Sequence, residues 1–445
     1  MRTIRESTFV QKPAYDMNSY MEEYYAINKF FLSQLGGWPY QRKVLRVLIP
    51  CLLTMVQYSV IATEVLLLYD TWGDIDIFVE VIITTIPILA SNLKLLNIIV
   101  NNGKLRCLLQ LMNDHWKLFN SEFEHQTLRY YANIGRKLTN YFGVYIYIYI
   151  YIYIYIYIYI YIYIYIYAFF LVYFIIVLTF YLLIPLIPRI LDIIIPLNES
   201  RPLAFVYQAE YRVDKEKYYY PIMCHAYIST LIIIIILFTV DTTYIVCVLH
   251  ACSLFTAIGQ RLENITGRTN DKKPNTEKYY YLLKESHGSV GSDYHELITC
   301  LRKHQFALEH VQILDSMFTH VTVCLLTMNV LILSVMGIHL INKLDHTGEV
   351  IRYVFVTMAV FTHLICMCVP GQLLIDRSTG VFDKAYNSEW YTFSLKTRNL
   401  LRILLYRSFI PCTLSAGKLF VMSMTMCSSV IQTAMSYFTA ILAMK

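Results

Sequence analysis

Charge is what this sequence has least of. Asp, Glu, Lys and Arg make up 15% of the 445 residues, whereas 57% are hydrophobic and the mean hydropathy is +0.48. A soluble globular chain carries roughly a quarter charged residues. The signatures of several enzyme classes are missing too: no His-Glu-x-x-His helix, no Walker loop and no Gly-x-Ser-x-Gly elbow. The stretch Gly288-Ser289-Val290-Gly291 is a flexible loop piece rather than a phosphate cradle. The eleven cysteines show neither metal-ligand spacing nor a disulfide framework, so no metal and no cofactor is expected. His304 and His310 are too poorly spaced to share a helix face and read as ordinary hydrogen-bonding histidines. The net charge of +6 is dispersed, which argues against a nucleic-acid partner.

What is present is long apolar blocks near bilayer length, about 17–25 residues each. They predict seven spans: 44–69, 77–100, one within 141–187, then 226–249, 318–341 and 353–375. The last begins near Leu400, breaks around Pro411 and resumes over 417–444. The expected fold is an all-α membrane protein with seven transmembrane helices, forming a single domain over 1–445. No apolar run follows Arg2 closely, so no cleaved secretory signal is expected and span one acts as the insertion signal.

Lys and Arg set the orientation. They gather before span one (Lys29, Arg42, Lys43, Arg46) and after span two (Lys104, Arg106, Lys117, Arg129, Arg136, Lys137). They gather again after span four (Arg261, Arg268, Lys272, Lys273, Lys278, Lys284, Arg302, Lys303) and after span six (Arg377, Lys384, Lys396, Arg398, Arg402, Arg407). The alternate loops are poorer, the one after span three being the richest of them. The bias places the N-terminus in the cytoplasm and the C-terminus outside. Asn198-Glu199-Ser200 is a glycosylation sequon in a loop expected outside, making Asn198 a candidate; Asn264-Ile265-Thr266 falls inside and should be silent.

Residues 145–167 alternate Tyr and Ile without a fault. Period two predicts a strand, yet a lone strand leaves its backbone groups unpaired in lipid. Read as DNA, the tract is a TATATA repeat. Without it, Tyr141-Phe142-Gly143-Val144 joins Ala168-Phe169-Phe170-Leu171 and one ordinary span remains. The tract is therefore expected to be a low-complexity insertion, a translated microsatellite arising from a gene-model error or a recent expansion.

Ionisable residues inside spans carry a functional expectation. They are Glu64, Glu80, Lys94, Asp241 and His363. Asp241 lies mid-span beside Thr242 and Thr243. It serves either a ligand or ion path, or a polar lock between helices. In the last span, Ser436, Ala440, Ala443 and Met444 fall roughly on one face. They fit a narrow pore lining or a close helix contact.

The C-terminal stretch carries Arg407-Ser408-Phe409-Ile410-Pro411, Thr413-Leu414-Ser415-Ala416-Gly417, Phe420, Ser423 and Ser436-Tyr437-Phe438. Upstream lie Gly371, Ser378, Ala385-Tyr386, Trp390 and Tyr294-His295-Glu296-Leu297. With these motifs the whole chain except residues 145–167 resembles the insect odorant receptor family. The resemblance implies a tuning subunit that binds volatile odorants and joins a shared olfactory co-receptor in a hetero-tetramer, a ligand-gated non-selective cation channel. It implies that the last helix lines the pore, and that the inner parts of spans four to seven join subunits. It places an apolar, aromatic pocket in the outer half of spans two to six. The implied location is the cell membrane, in dendrites of olfactory sensory neurons. Candidate odorant-binding residues on those spans are Ile83, Ile86, Phe174, Phe180, Met223, Tyr227, Phe355 and Met358; each also fits plain packing or a lipid-facing position.

Three rivals bear comparison. A gustatory receptor of the same superfamily tends to end in a Thr-Tyr…Gln-Phe pattern, unlike Ser436-Tyr437-Phe438. A G-protein-coupled receptor reverses the charge bias and usually carries Asp-Arg-Tyr-like and Asn-Pro-x-x-Tyr-like motifs, both missing here. A transporter would show paired broken helices, and the sequence has one break, at Pro411.

Overall fold

The computed structural model describes residues 19–148, 194, 205–270, 279–342 and 347–443. Helices α1 (Ser19–Gln34), α2 (Lys43–Asp70), α3 (Ile75–Val100), α4 (Asn102–Leu118) and α5 (Glu122–Ile148) open the chain. Three long helices follow: α6 (Tyr219–Asn270), α7 (Tyr279–Asn342) and α8 (Thr347–Tyr386). A 3-10 turn (Trp390–Thr392), α9 (Leu395–Ser408), strands β1 (Ser415–Ala416) and β2 (Phe420–Val421), and α10 (Met424–Ala443) complete it.

Among the described residues, five helices are long and apolar enough to cross a membrane: Lys43–Asp70, Ile75–Val100, Tyr219–Glu263, Asp293–Gly337 and Val356–Tyr386. They contain predicted spans one, two and four and overlap spans five and six. Span three starts in α5 and runs beyond the described residues, as does the Tyr-Ile tract after Ile148. The caps follow local chemistry. Asp74 opens α3 by accepting from the amides of Asp76 and Ile77 at 3.0 and 3.2 Å. Ser394 opens α9 by accepting from the Thr397 amide.

The long helices exceed any bilayer. At about 1.5 Å per residue, the 52 residues of α6 run ~78 Å and the 64 of α7 run ~96 Å, against a hydrocarbon core of about 30 Å. Their surplus turns pack at one end of the molecule with α4 and the start of α5. This end holds a buried ion cluster. Glu124, 1% exposed, accepts from Lys303 Nζ at 2.6 and 2.7 Å and from Arg261 Nη1 at 2.9 Å; Arg261 also meets Glu296 at 2.8 Å. Beside it, the rings of His115 and His250 stack with centroids 5.4 Å apart, and His310 Nε2 donates to the Cys247 carbonyl at 3.1 Å. His304 packs edge-on to Phe255.

The last predicted span is corrected. Residues 400–408 belong to α9, which buries Leu401 and Leu404 at the charged end. The resumed part of the predicted span is helical only from Met424, the start of α10. Between them the chain forms a tiny β-hairpin, an exception to the all-α expectation. Its turn needs left-handed backbone at two successive residues, Gly417 (φ 62°) and Lys418 (φ 60°). Helix α7 holds it: Asp315 Oδ1 accepts from the Ser415 amide at 2.6 Å and its hydroxyl at 2.8 Å, and the Gly417 amide donates to the Thr319 carbonyl at 2.7 Å. Helix α8 closes the other side. Ser378 Oγ accepts from the Cys412 amide at 3.0 Å. Gly371 lies against the Met422 backbone, where any Cβ would collide with the carbonyl.

Candidate functional site

A cavity of about 230 Å³ lies between α3, α5, α6, α7 and α8. Its wall is apolar over most of its extent, with Ile86, Pro87 and Ala90 from α3, Leu138 from α5, Leu237 and Phe238 from α6, Leu325 and Ile332 from α7, and Val356 and Val360 from α8. Residues 86–90 sit midway along α3, so the cavity is central to the spans.

One corner is polar. Lys94 Nζ stands 2.6 Å from Asp241 Oδ1 and 2.8 Å from His363 Nε2. His363 Nε2 is 3.8 Å from Asp241 Oδ2, and Asn329 reaches His363 Nδ1 at 3.5 Å. Asp241, Asn329 and His363 line the cavity directly. Three of the five ionisable residues singled out from the sequence thus meet, from three helices. Glu64 is fully buried elsewhere, between α2 and α3, and accepts from the Thr84 and Thr85 hydroxyls. A buried charge needs a partner, and both arrangements supply one.

The eight candidate odorant-binding residues distribute unevenly. Ile86 lines the cavity. Ile83, one turn away, packs instead with Ile332, Met336 and Tyr353. Met223 lies in a separate cluster with Val60, Ile88, Tyr207 and Tyr219, and Tyr227 packs against it. Met358 is 42% exposed and points away from the cavity wall. Phe174 and Phe180 fall outside the described residues, as does the side chain of Phe355. Asn198 and Met444 are also outside them. On α10, Ser436, Ala440 and Ala443 are exposed. Lys94, Asn329 and His363 went unnamed as cavity residues in the sequence reading; their signal was polarity inside apolar spans.

The family model described as "7tm Odorant receptor" matches residues 74–435. The chain belongs to that family. Among curated relatives, Odorant receptor Or2 of Anopheles gambiae is 26% identical over 199 residues, 44% of this chain and 49% of that protein. Odorant receptor 10a of Drosophila melanogaster is 20% identical over 42% of this chain and 43% of its own. The Odorant receptor coreceptor of Ooceraea biroi is 26% identical over 100 residues, 22% of this chain and 20% of the co-receptor. The matched stretches thus span about half or less of these relatives. The fold also matches a solved olfactory receptor, OR5 of Machilis hrabei in complex with eugenol. The TM-score is 0.70 at 14% identity, covering 96% of this chain and 100% of that one. A second structure of the same receptor gives a TM-score of 0.64 at 15% identity. The chain is therefore a helical member of the odorant receptor family, with several helices long and apolar enough to cross a membrane.

Proposed function

We propose that this receptor is an odorant-tuning subunit that takes small volatile molecules into the α3–α5–α6–α7–α8 cavity and, with an olfactory co-receptor, forms a ligand-gated non-selective cation channel. The observation that carries the reading is the cavity itself: an apolar chamber inside the spans of an odorant receptor family member. Volatile ligands offer mostly hydrophobic surface, and such a wall gains free energy by covering it.

The charged end of the bundle is cytoplasmic in this reading, as the Lys and Arg distribution requires. The N-terminus is then inside, the C-terminus and Asn198 outside. The exposed face of α10 with Ser436, Ala440 and Ala443 lines the pore. Small residues there leave room for a hydrated path with a hydrophobic constriction. The receptor works in the cell membrane of olfactory neuron dendrites, in a hetero-tetramer with the co-receptor.

The test is current in cells expressing the receptor with and without an insect olfactory co-receptor, challenged with volatiles. Two forms of the receptor are compared, one carrying residues 145–167 and one without them. Odorant-evoked cation current that requires the co-receptor is expected. A tastant response without the co-receptor would replace this reading with a gustatory one.

A further inference from the structure

Lys94 reaches the cavity's polar corner from behind the wall. Its side chain is 2% exposed, whereas Asp241 and His363 are 26% and 22% exposed. The ammonium donates to Asp241 Oδ1 and to His363 Nε2. An ammonium has no lone pair, so Nε2 is the acceptor and the ring proton sits on Nδ1, facing Asn329.

Of the other polar groups around the chamber, the threonine hydroxyls have committed their donors and Asn329 has committed one of its two. Asn329 Nδ2 donates to the Leu325 carbonyl at 2.9 Å. The Thr242 and Thr362 hydroxyls donate to carbonyls one turn earlier in their own helices, each at 2.9 Å. A strong acceptor is left over. Among the described residues Asp241 Oδ2 has no hydrogen bond, and His363 Nε2 stands 3.8 Å from it. The chamber therefore offers a free carboxylate oxygen at its polar corner.

The geometry points to a hydroxyl anchor: the cavity selects neutral alcohols and phenols, whose O–H donates to Asp241 Oδ2 while the apolar body lies against Ile86, Ile332 and Val356. This rests on the cavity being the odorant site. The corner's charge excludes the alternatives. Lys94 already neutralises Asp241, so an ammonium ligand would add an unbalanced charge in a low-dielectric chamber. A ketone, ester or ether sets a second lone pair against the carboxylate and leaves it unsatisfied. A site built to hydrogen-bond a hydroxyl discriminates strongly against analogues that lack it.

Isomer pairs test this without changing molecular size. Hexanol is compared with methyl pentyl ether, and phenethyl alcohol with benzyl methyl ether. The readouts are current and thermal stabilisation of the purified complex with co-receptor. Each alcohol is expected to act at a concentration at least about tenfold below its ether isomer. In the double variant Lys94→Met/Asp241→Leu, which removes the corner without stranding a charge, the ether response is expected to persist and the preference to shrink to within about threefold. Equal potency of alcohol and ether on the unaltered receptor overturns the anchor and leaves the odorant cavity standing. So does a double variant that keeps the preference. If neither isomer of either pair evokes current or stabilises the complex at saturation, the cavity reading falls and the anchor with it. A double variant that does not reach the surface leaves the isomer comparison on the unaltered receptor to decide.

Discussion

Replacing Glu124 by Leu tests how the long helices are tied together at the charged end. Glu124 is 1% exposed and Lys303 3% exposed, and the carboxylate takes both short contacts from the ammonium. Removing it leaves Lys303 buried with no counter-charge, a loss of about 3–5 kcal/mol for a broken buried pair. Arg261 is affected less, because it is 22% exposed and keeps Glu296 at 2.8 Å. Lys303→Met is expected to lose less, about 1–3 kcal/mol, since Arg261 still answers Glu124. The double variant Glu124→Leu/Lys303→Met removes both charges together and is expected within about 1 kcal/mol of the parent. The assay is heat inactivation of the detergent-solubilised receptor, followed as the fraction that remains monodisperse. The expected order is parent and double variant together, then Lys303→Met, then Glu124→Leu. A Glu124→Leu protein no less stable than the double variant would refute the reasoning, because the cycle would then show no coupling between the two side chains.

Gly371→Ala is expected to lower surface expression and stability by about 1–3 kcal/mol, because its new methyl group meets the Met422 carbonyl rather than a yielding side chain; surface biotinylation checks it. Asp315→Asn is expected to retain expression but weaken the hairpin's hold, since the charged acceptor of two Ser415 donors becomes neutral, a loss of about 1–2 kcal/mol; faster cleavage near Gly417 under limited proteolysis checks it. His115, in α4, is held down at about 3 by burial first and the nearby His310 second. Unfolded, it titrates near its ordinary 6.5, so stability is full above about pH 6.5 and falls as pH drops from there toward 3. His115→Gln is expected to flatten the decline in melting temperature between about pH 7 and about pH 5.

The spans were legible because hydropathy averages over many residues. Five long helices contain five of the seven predicted segments, and α3 (Ile75–Val100) begins two residues before the expected 77. The extensions of α6 and α7 were not legible, and Gly288-Ser289-Val290-Gly291, expected as a loop piece, lies inside α7, because polar helix-formers beyond an apolar block look the same in a loop as in a packed bundle. The hairpin escaped for a different reason: two-residue strands have no period to detect, and Pro411 read only as a break. The polar corner was half visible. Apolar spans make Lys94, Asp241 and His363 conspicuous singly, but nothing in one sequence says that residues 147 and 269 positions apart will touch. The cavity wall was least visible. In an all-apolar span the lipid face and the protein face carry the same residue types, so Ile83 and Ile86 could not be told apart, nor could Met358 be recognised as facing outward.

Helix α7 also has the geometry of a lever. It touches the cavity at Leu325 and grips the hairpin at Asp315, about 15 Å away along one unbroken rod. A tilt of about 5° at the cavity displaces the grip by about 1.3 Å over that length. A 2.6 Å amide–carboxylate contact does not survive such a displacement unless both partners travel together. The hairpin leads directly into α10, so it either carries that helix along with the rod or releases it.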